Sequence, residues 1–130
     1  MAKRDLIIGG FTNYGINQLK PWVLSAIGAV SYETDIVLVT GNTTQETKDW
    51  LTQHGVIIFP MAEVEGIPIH VLRFLSIYEY LRHNWAKYRF VVTTDVKDVY
   101  FQTDPFVQLH NSSLEGYKLV IASEELKYKD

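Results

Sequence analysis

Ile36-Val37-Leu38-Val39-Thr40-Gly41-Asn42-Thr43-Thr44-Gln45-Glu46-Thr47-Lys48-Asp49-Trp50-Leu51-Thr52-Gln53-His54-Gly55-Val56-Ile57-Ile58-Phe59 reads as one complete strand–helix–strand unit. The first four residues are consecutive aliphatics, the pattern of a strand buried on both faces. Thr40-Gly41-Asn42 supplies turn residues. Thr43 with Glu46 three positions on has the spacing of a capping box, which predicts a helix to about Gln53. His54-Gly55 marks its C-terminal stop. Val56-Ile57-Ile58-Phe59 is the next apolar strand, closed by Pro60. Two buried strands joined through a helix run parallel.

The same alternation extends both ways. Leu6-Ile7-Ile8-Gly9-Gly10-Phe11 is an apolar first strand, and Thr12-Asn13-Tyr14-Gly15 is its turn. Residues 16–30 carry Leu19, Trp22, Val23, Ala26, Ile27 and Val30 at helical spacing. Pro21 belongs in a first turn, which predicts that the helix proper starts near Lys20. Residues 61–67 show no clear period and read as loop. From Pro68 to about Trp85 a long helix is predicted, with Val71, Phe74, Tyr78, Leu81 and Trp85 as its apolar face. Arg89-Phe90-Val91-Val92-Thr93-Thr94 is a fourth strand ending at Asp95, and Leu119-Val120-Ile121-Ala122 a fifth. The pattern predicts one α/β domain over residues 1–130, with a mainly parallel sheet and helices on both faces. Ligands of such sheets bind beyond the C-terminal strand ends, here Gly9–Gly15, Thr40–Asn42 and Asp95–Asp98.

Composition narrows the function. The chain has 130 residues, 47% hydrophobic and 13% aromatic, which excludes disorder. Lys and Arg number 12 against 15 Asp and Glu, a net charge of -3. That balance argues against nucleic-acid binding and against an anionic membrane surface. There is no cysteine, hence no disulfide, thiolate metal site or Cys nucleophile. No apolar run reaches the roughly 18 residues of a membrane span. The apolar stretch after Met1-Ala2-Lys3-Arg4-Asp5 is too short for a signal-peptide core, so a cytoplasmic location is expected, or the Golgi lumen if an anchor lies upstream.

The sharpest chemical signal is Asp95-Val96-Lys97-Asp98. Two carboxylates just past a buried strand can hold a hard divalent cation whose shell is completed by phosphate oxygens. A turn cap and a solvated charge are the plain alternative. In Gly9-Gly10-Phe11-Thr12-Asn13-Tyr14-Gly15 the glycines allow close backbone approach. Phe11 or Tyr14 can stack on a base there, and Thr12 or Asn13 can bond its edge. An ordinary strand–helix turn with aromatics in the core is the other reading. The spacing is not that of a dinucleotide fingerprint, and no P-loop is present. Arg73 lies just off the apolar face of the long helix, with Tyr80 and His70 near the same flank, and can reach a diphosphate or a motif aspartate. Otherwise it is a surface Arg paired with a nearby Glu. Arg82 reads as a stem packed near the helix end. The histidines at 54, 70, 83 and 110 form no zinc pattern. No serine has a nucleophile-elbow context. Trp22, Trp50 and Trp85 read as core.

The run Phe90 to Asp98, followed by Val99-Tyr100-Phe101-Gln102-Thr103-Asp104-Pro105-Phe106, resembles the metal-binding segment of GT-A-fold glycosyltransferases. The opening strand with Gly-Gly-Phe-Thr-Asn-Tyr resembles their nucleotide-binding first loop. Leu119 to Glu124, with Ser123-Glu124, resembles their next strand. The usual motif has one residue between its aspartates, and this one has two. The resemblance implies a Rossmann-like half of a GT-A fold that binds a UDP- or GDP-sugar donor for transfer to an unknown acceptor. It implies Mn²⁺ or Mg²⁺ held by Asp95 and Asp98, with Gly10, Phe11, Thr12, Asn13, Tyr14, Arg73 and Asp95 around the donor. It places Glu124 or Glu125 near a sugar. It also implies that these 130 residues are the donor-binding part of a longer domain, with the catalytic base beyond Asp130. Two other classes stand beside it. One is a non-catalytic α/β nucleotide-binding or interaction module. The other is a nucleotidyltransferase, which usually carries basic residues in its first loop; this loop has none.

Overall fold

The computed structural model describes residues 3–62, 64–97 and 99–110. Strands β1 (Arg4–Phe11), β2 (Thr34–Thr40), β3 (Ile57–Pro60) and β4 (Tyr88–Thr93) alternate with helices α1 (Ile16–Ala29), α2 (Gln45–Gln53) and α3 (Ile69–Asn84). A 3₁₀ turn at Trp85–Lys87 leads into β4, and a short α4 (Pro105–His110) follows it. The four strands form one sheet in the order β3-β2-β1-β4, and every pairing is parallel. The α/β architecture read from the strand–helix alternation is therefore present. The predicted fifth strand at Leu119–Ala122 lies outside the described residues, as do Asp98, Glu124 and Glu125.

Strand alternation sorts the core into two layers. Ile7 and Phe11 of β1 and Ile36 and Leu38 of β2 meet Leu19, Trp22, Val23 and Ala26 of α1. Leu51 of α2 and Phe106 of α4 join this layer. On the opposite face, Leu6, Ile8, Val37 and Val39 meet Leu72, Ile77 and Tyr80 of α3. Helices thus cover both faces of the sheet. β1 lies in the interior of the sheet, between β2 and β4, and Leu6 to Phe11 are all buried.

Several local expectations need correction. α1 starts at Ile16, not near Lys20, and carries Pro21 inside. Gln18 Oε1 accepts from the Gly15 N–H at 2.7 Å, which ties down the first turn. Burial of Leu19, Trp22 and Val23 on either side outweighs the one ladder bond that Pro21 removes. Thr44, not Thr43, caps α2, and its Oγ1 accepts from the Thr47 N–H at 3.1 Å. Thr43 Oγ1 instead donates to the Tyr14 carbonyl at 2.7 Å. β3 is the sheet's edge and is half-exposed rather than fully buried.

The largest correction concerns α3. Its buried residues are Leu72, Ser76, Ile77 and Tyr80. Val71, Phe74, Tyr78 and Trp85 of the predicted apolar face are exposed. The helix carries apolar residues on more than one side, so spacing alone does not choose its inner face. Arg82 is likewise exposed and pairs with Glu79 at 3.7 Å rather than packing its stem. His54 does end α2, with its ring 4.2 Å from that of Trp50.

Candidate functional site

In the order β3-β2-β1-β4, the chain leaves β1 toward one side for β2 and later returns to the other side for β4. The C-terminal ends of β1 and β4 therefore flank the topological switch point, where open parallel sheets bind ligands. Four groups converge there: the end of β1, the Thr12–Gly15 turn, Arg73 of α3 and the segment after β4.

Gly9 and Gly10 admit side chains from both faces of the sheet. A Cβ on Gly9 would lie 2.6 Å from Val96 Cγ2 and 3.5 Å from Trp22 Cζ2. A Cβ on Gly10 would lie 2.4 Å from Arg73 Cγ and 3.1 Å from its Cδ. The close approach the glycines permit is thus already used by the chain's own side chains. Arg73 lies with its stem across Gly10, and its guanidinium carbon sits 5.3 Å from the centre of the Phe74 ring. Its Nη2 is 3.4 Å from Asp95 Oδ1. The two partners differ in freedom: the Arg73 side chain is 26% exposed and that of Asp95 71%.

The backbone at Asp95 is anchored from below. The buried Trp22 Nε1 donates to Thr94 Oγ1 at 2.8 Å, and that hydroxyl donates to the Asp95 carbonyl at 2.8 Å.

Beside it, the turns after β1 and β2 are stitched together. The Gly41 N–H donates to the Phe11 carbonyl at 2.8 Å, and the Asn13 N–H to the Asn42 carbonyl at 2.7 Å. The Asn42 N–H donates to Thr12 Oγ1 and Asn42 Nδ2 to Asn13 Oδ1, both at 3.0 Å. Asn13 takes a positive φ of 65°, which Asn tolerates better than most residues. Gly41 is needed for close approach, because a Cβ there would meet Thr12 Oγ1 at 2.6 Å. Among the described residues, the Thr12 hydroxyl hydrogen and Asn13 Nδ2 have no partner and remain as donors at this edge.

The remaining site residues separate by burial. Phe11 is 3% exposed and belongs to the α1-side core, so it presents no face to a ligand. Tyr14 is half-buried and stacks parallel to Phe11, with centroids 6.0 Å apart. Tyr80 lies away from Arg73. Its hydroxyl meets that of Tyr88 at 2.7 Å, and Tyr88 in turn donates to Asp35 Oδ2 at 2.8 Å near the N-terminal strand ends. The structure brings together Gly10, Arg73 and Asp95, sets Thr12 and Asn13 against Asn42 in the neighbouring turns, and assigns Phe11 to the core. Asn42, in the Thr40–Asn42 turn expected at the ligand edge, braces Asn13 through its side chain, a role its sequence position alone does not assign. Its place in the turn after β2 was the available signal.

Asp95 has the oxygen chemistry and exposure that a hard cation requires. One carboxylate with phosphate oxygens and waters is a usual Mg²⁺ arrangement. Among the described residues no group of three His, Cys, Asp or Glu side chains forms a metal cage. A separate open groove of about 930 Å³ runs between α1 and α2, past Lys20, Glu46, Asp49 and Trp50. It includes neither Arg73 nor Asp95. Among the described residues, no helix is long and apolar enough to cross a membrane. No family model, curated protein or solved structure matches the chain.

Proposed function

We propose that the chain binds a nucleoside-diphosphate sugar at the β1/β4 switch point, as the donor-binding part of a metal-dependent GT-A-type glycosyltransferase. The observation that carries this reading is the Arg73 stem lying across Gly10, with its Nη2 3.4 Å from Asp95 Oδ1 at the C-terminal sheet edge. That arrangement sets a fixed cation beside an exposed carboxylate. A diphosphate bridging a metal ion needs both kinds of group.

Arg73 binds phosphate oxygens through its planar fork of donors. Asp95, with Asp98 of the same motif, holds Mn²⁺ or Mg²⁺. The ion, when bound, neutralises charge on the departing nucleoside diphosphate. Thr12 and Asn13 offer their remaining donors to the nucleoside. Tyr14, half-buried in the same turn, is the aromatic side chain offered to the base. The stitched β1 and β2 turns hold these groups in place before a ligand arrives, which limits the ordering cost of binding. The transfer itself requires an acceptor and, for inversion, a general base near the acceptor hydroxyl.

Calorimetric titration with UDP, GDP and their sugars, with and without Mn²⁺, tests the reading. Binding strengthened by Mn²⁺ is expected, with that Mn²⁺ dependence abolished in Asp98→Asn and reduced less in Asp95→Asn. Absence of binding by every nucleoside diphosphate would leave an α/β interaction module instead.

A further inference from the structure

We propose that Arg73 and Asp95 form an exchangeable ion pair that makes cation and phosphate binding at this edge mutually dependent. The inference rests on the reading that the β1/β4 edge takes a diphosphate. It adds how the two ligands are coupled.

The geometry sets up a competition. Asp95 Oδ1 lies 3.4 Å from Arg73 Nη2, so each group is the other's counter-charge. A phosphate arriving alone must displace Asp95 from Arg73 and meets the carboxylate's negative charge. A divalent cation arriving alone must draw Asp95 away from Arg73 and meets the guanidinium's positive charge. When both arrive, phosphate takes Arg73 and the cation takes Asp95. The lost ion pair is then replaced by two opposite-charge contacts. Mutual enhancement of this kind is a coupling free energy and is reciprocal.

The two side chains also differ in how far their surroundings hold them. Arg73 is braced by Gly10 beneath its stem and by the Phe74 ring 5.3 Å from its guanidinium carbon. Asp95 is 71% exposed on a backbone pinned through Thr94 and Trp22. Exchange therefore needs only a rotation of the Asp95 side chain. The guanidinium stays where a phosphate meets it.

The test separates the two ligands. Pyrophosphate is titrated by calorimetry into metal-depleted wild type, Asp95→Asn and Arg73→Ala, and Mn²⁺ alone is titrated with free ion read by electron paramagnetic resonance. Asp95→Asn removes the competitor for Arg73, so metal-free pyrophosphate affinity rises about two- to fivefold, the range expected for an exposed ion pair. Arg73→Ala removes the repelling charge, so affinity for Mn²⁺ alone rises, while pyrophosphate no longer improves it beyond complex formation in solution. Thermal melts confirm that each variant is folded. An unchanged or lower metal-free pyrophosphate affinity in Asp95→Asn overturns the exchange. If wild type still binds UDP with Mn²⁺, that result leaves the donor-site reading standing. If wild type binds neither UDP nor pyrophosphate even with Mn²⁺, the donor-site reading fails, and the exchange with it.

Discussion

Arg73 occupies the space that a side chain on Gly10 would fill: an ideal Cβ at Gly10 falls 2.4 Å from Arg73 Cγ. Strand β1 and helix α3 therefore meet at this point only because one partner has no side chain.

Gly10→Ala is expected to push the Arg73 stem aside. The clash falls on Cγ, near the base of the Arg73 side chain, so relief requires a new rotamer or a shift of α3, and the stability cost is that of overpacking, about 1–3 kcal/mol. The proposed phosphate site loses its alignment, and diphosphate affinity falls toward that of Arg73→Ala. Melting curves and calorimetry on the same preparation check this. Lost stability with unchanged affinity would show that the seat serves packing alone.

Arg73→Ala is expected to weaken diphosphate binding by about 1.5–3 kcal/mol, the value of a hydrogen bond to a charged group. Arg73→Lys restores only part, because an ammonium lacks the planar fork. Folding survives, since the side chain is partly exposed and its ion partner more so. An unfolded Arg73→Ala chain whose folded fraction binds normally would make the residue structural.

How far the sequence carries this site depends on range. The strands were legible because consecutive aliphatics such as Ile36 to Val39 need burial on both faces. Their parallel direction followed from the intervening helices, whereas their order in the sheet did not. Asp95 was legible as a strand-end carboxylate. The inner face of α3 was not, because Leu72 and Ile77 compete with Val71, Phe74 and Tyr78 at equivalent spacing. Nor was the α2 cap, where Thr43 and Thr44 are chemically alike and only the tertiary bond of Thr43 to Tyr14 separates them. The fit of Gly10 beneath Arg73 joins two elements distant in sequence, and no local pattern encodes it.

Thr94→Val keeps the shape and removes the acceptor of the Trp22 indole. Trp22 is fully buried, so its N–H is left unpaired at a cost of about 1–3 kcal/mol. Thr94→Ser returns most of that stability. Urea unfolding of the three proteins measures it, and a Val variant as stable as wild type would show that the bond contributes nothing net.

Alkaline conditions should act through Tyr88. Burial pushes its hydroxyl well above the ordinary tyrosine value, and the bonds to Tyr80 and Asp35 push the same way. Burial also raises Tyr80, followed by an opposing bond from Tyr88 and the Asp35 charge, which raises it. The folded chain therefore keeps protons that the unfolded chain releases above about pH 10. Stability is full below that point and declines as pH rises beyond it. Tyr88→Phe should flatten the decline while lowering stability at neutral pH, because Asp35 and Tyr80 lose a partner. Denaturant midpoints between about pH 8 and about pH 11 report both effects. An identical slope in the variant would remove Tyr88 from the account.

Pro60 limits growth of the sheet at β3. It pairs in register with Thr40, and the next residue, Met61, donates its N–H to the Thr40 carbonyl at 3.0 Å. Alternate residues of a strand turn their backbone groups to opposite sides, so the nitrogen of Pro60 faces away from β2 and has no hydrogen to offer. A strand arriving beside β3 finds a gap in the row of donors. Among the described residues, Pro60 thus blunts the β3 flank of the sheet against recruitment of a further strand.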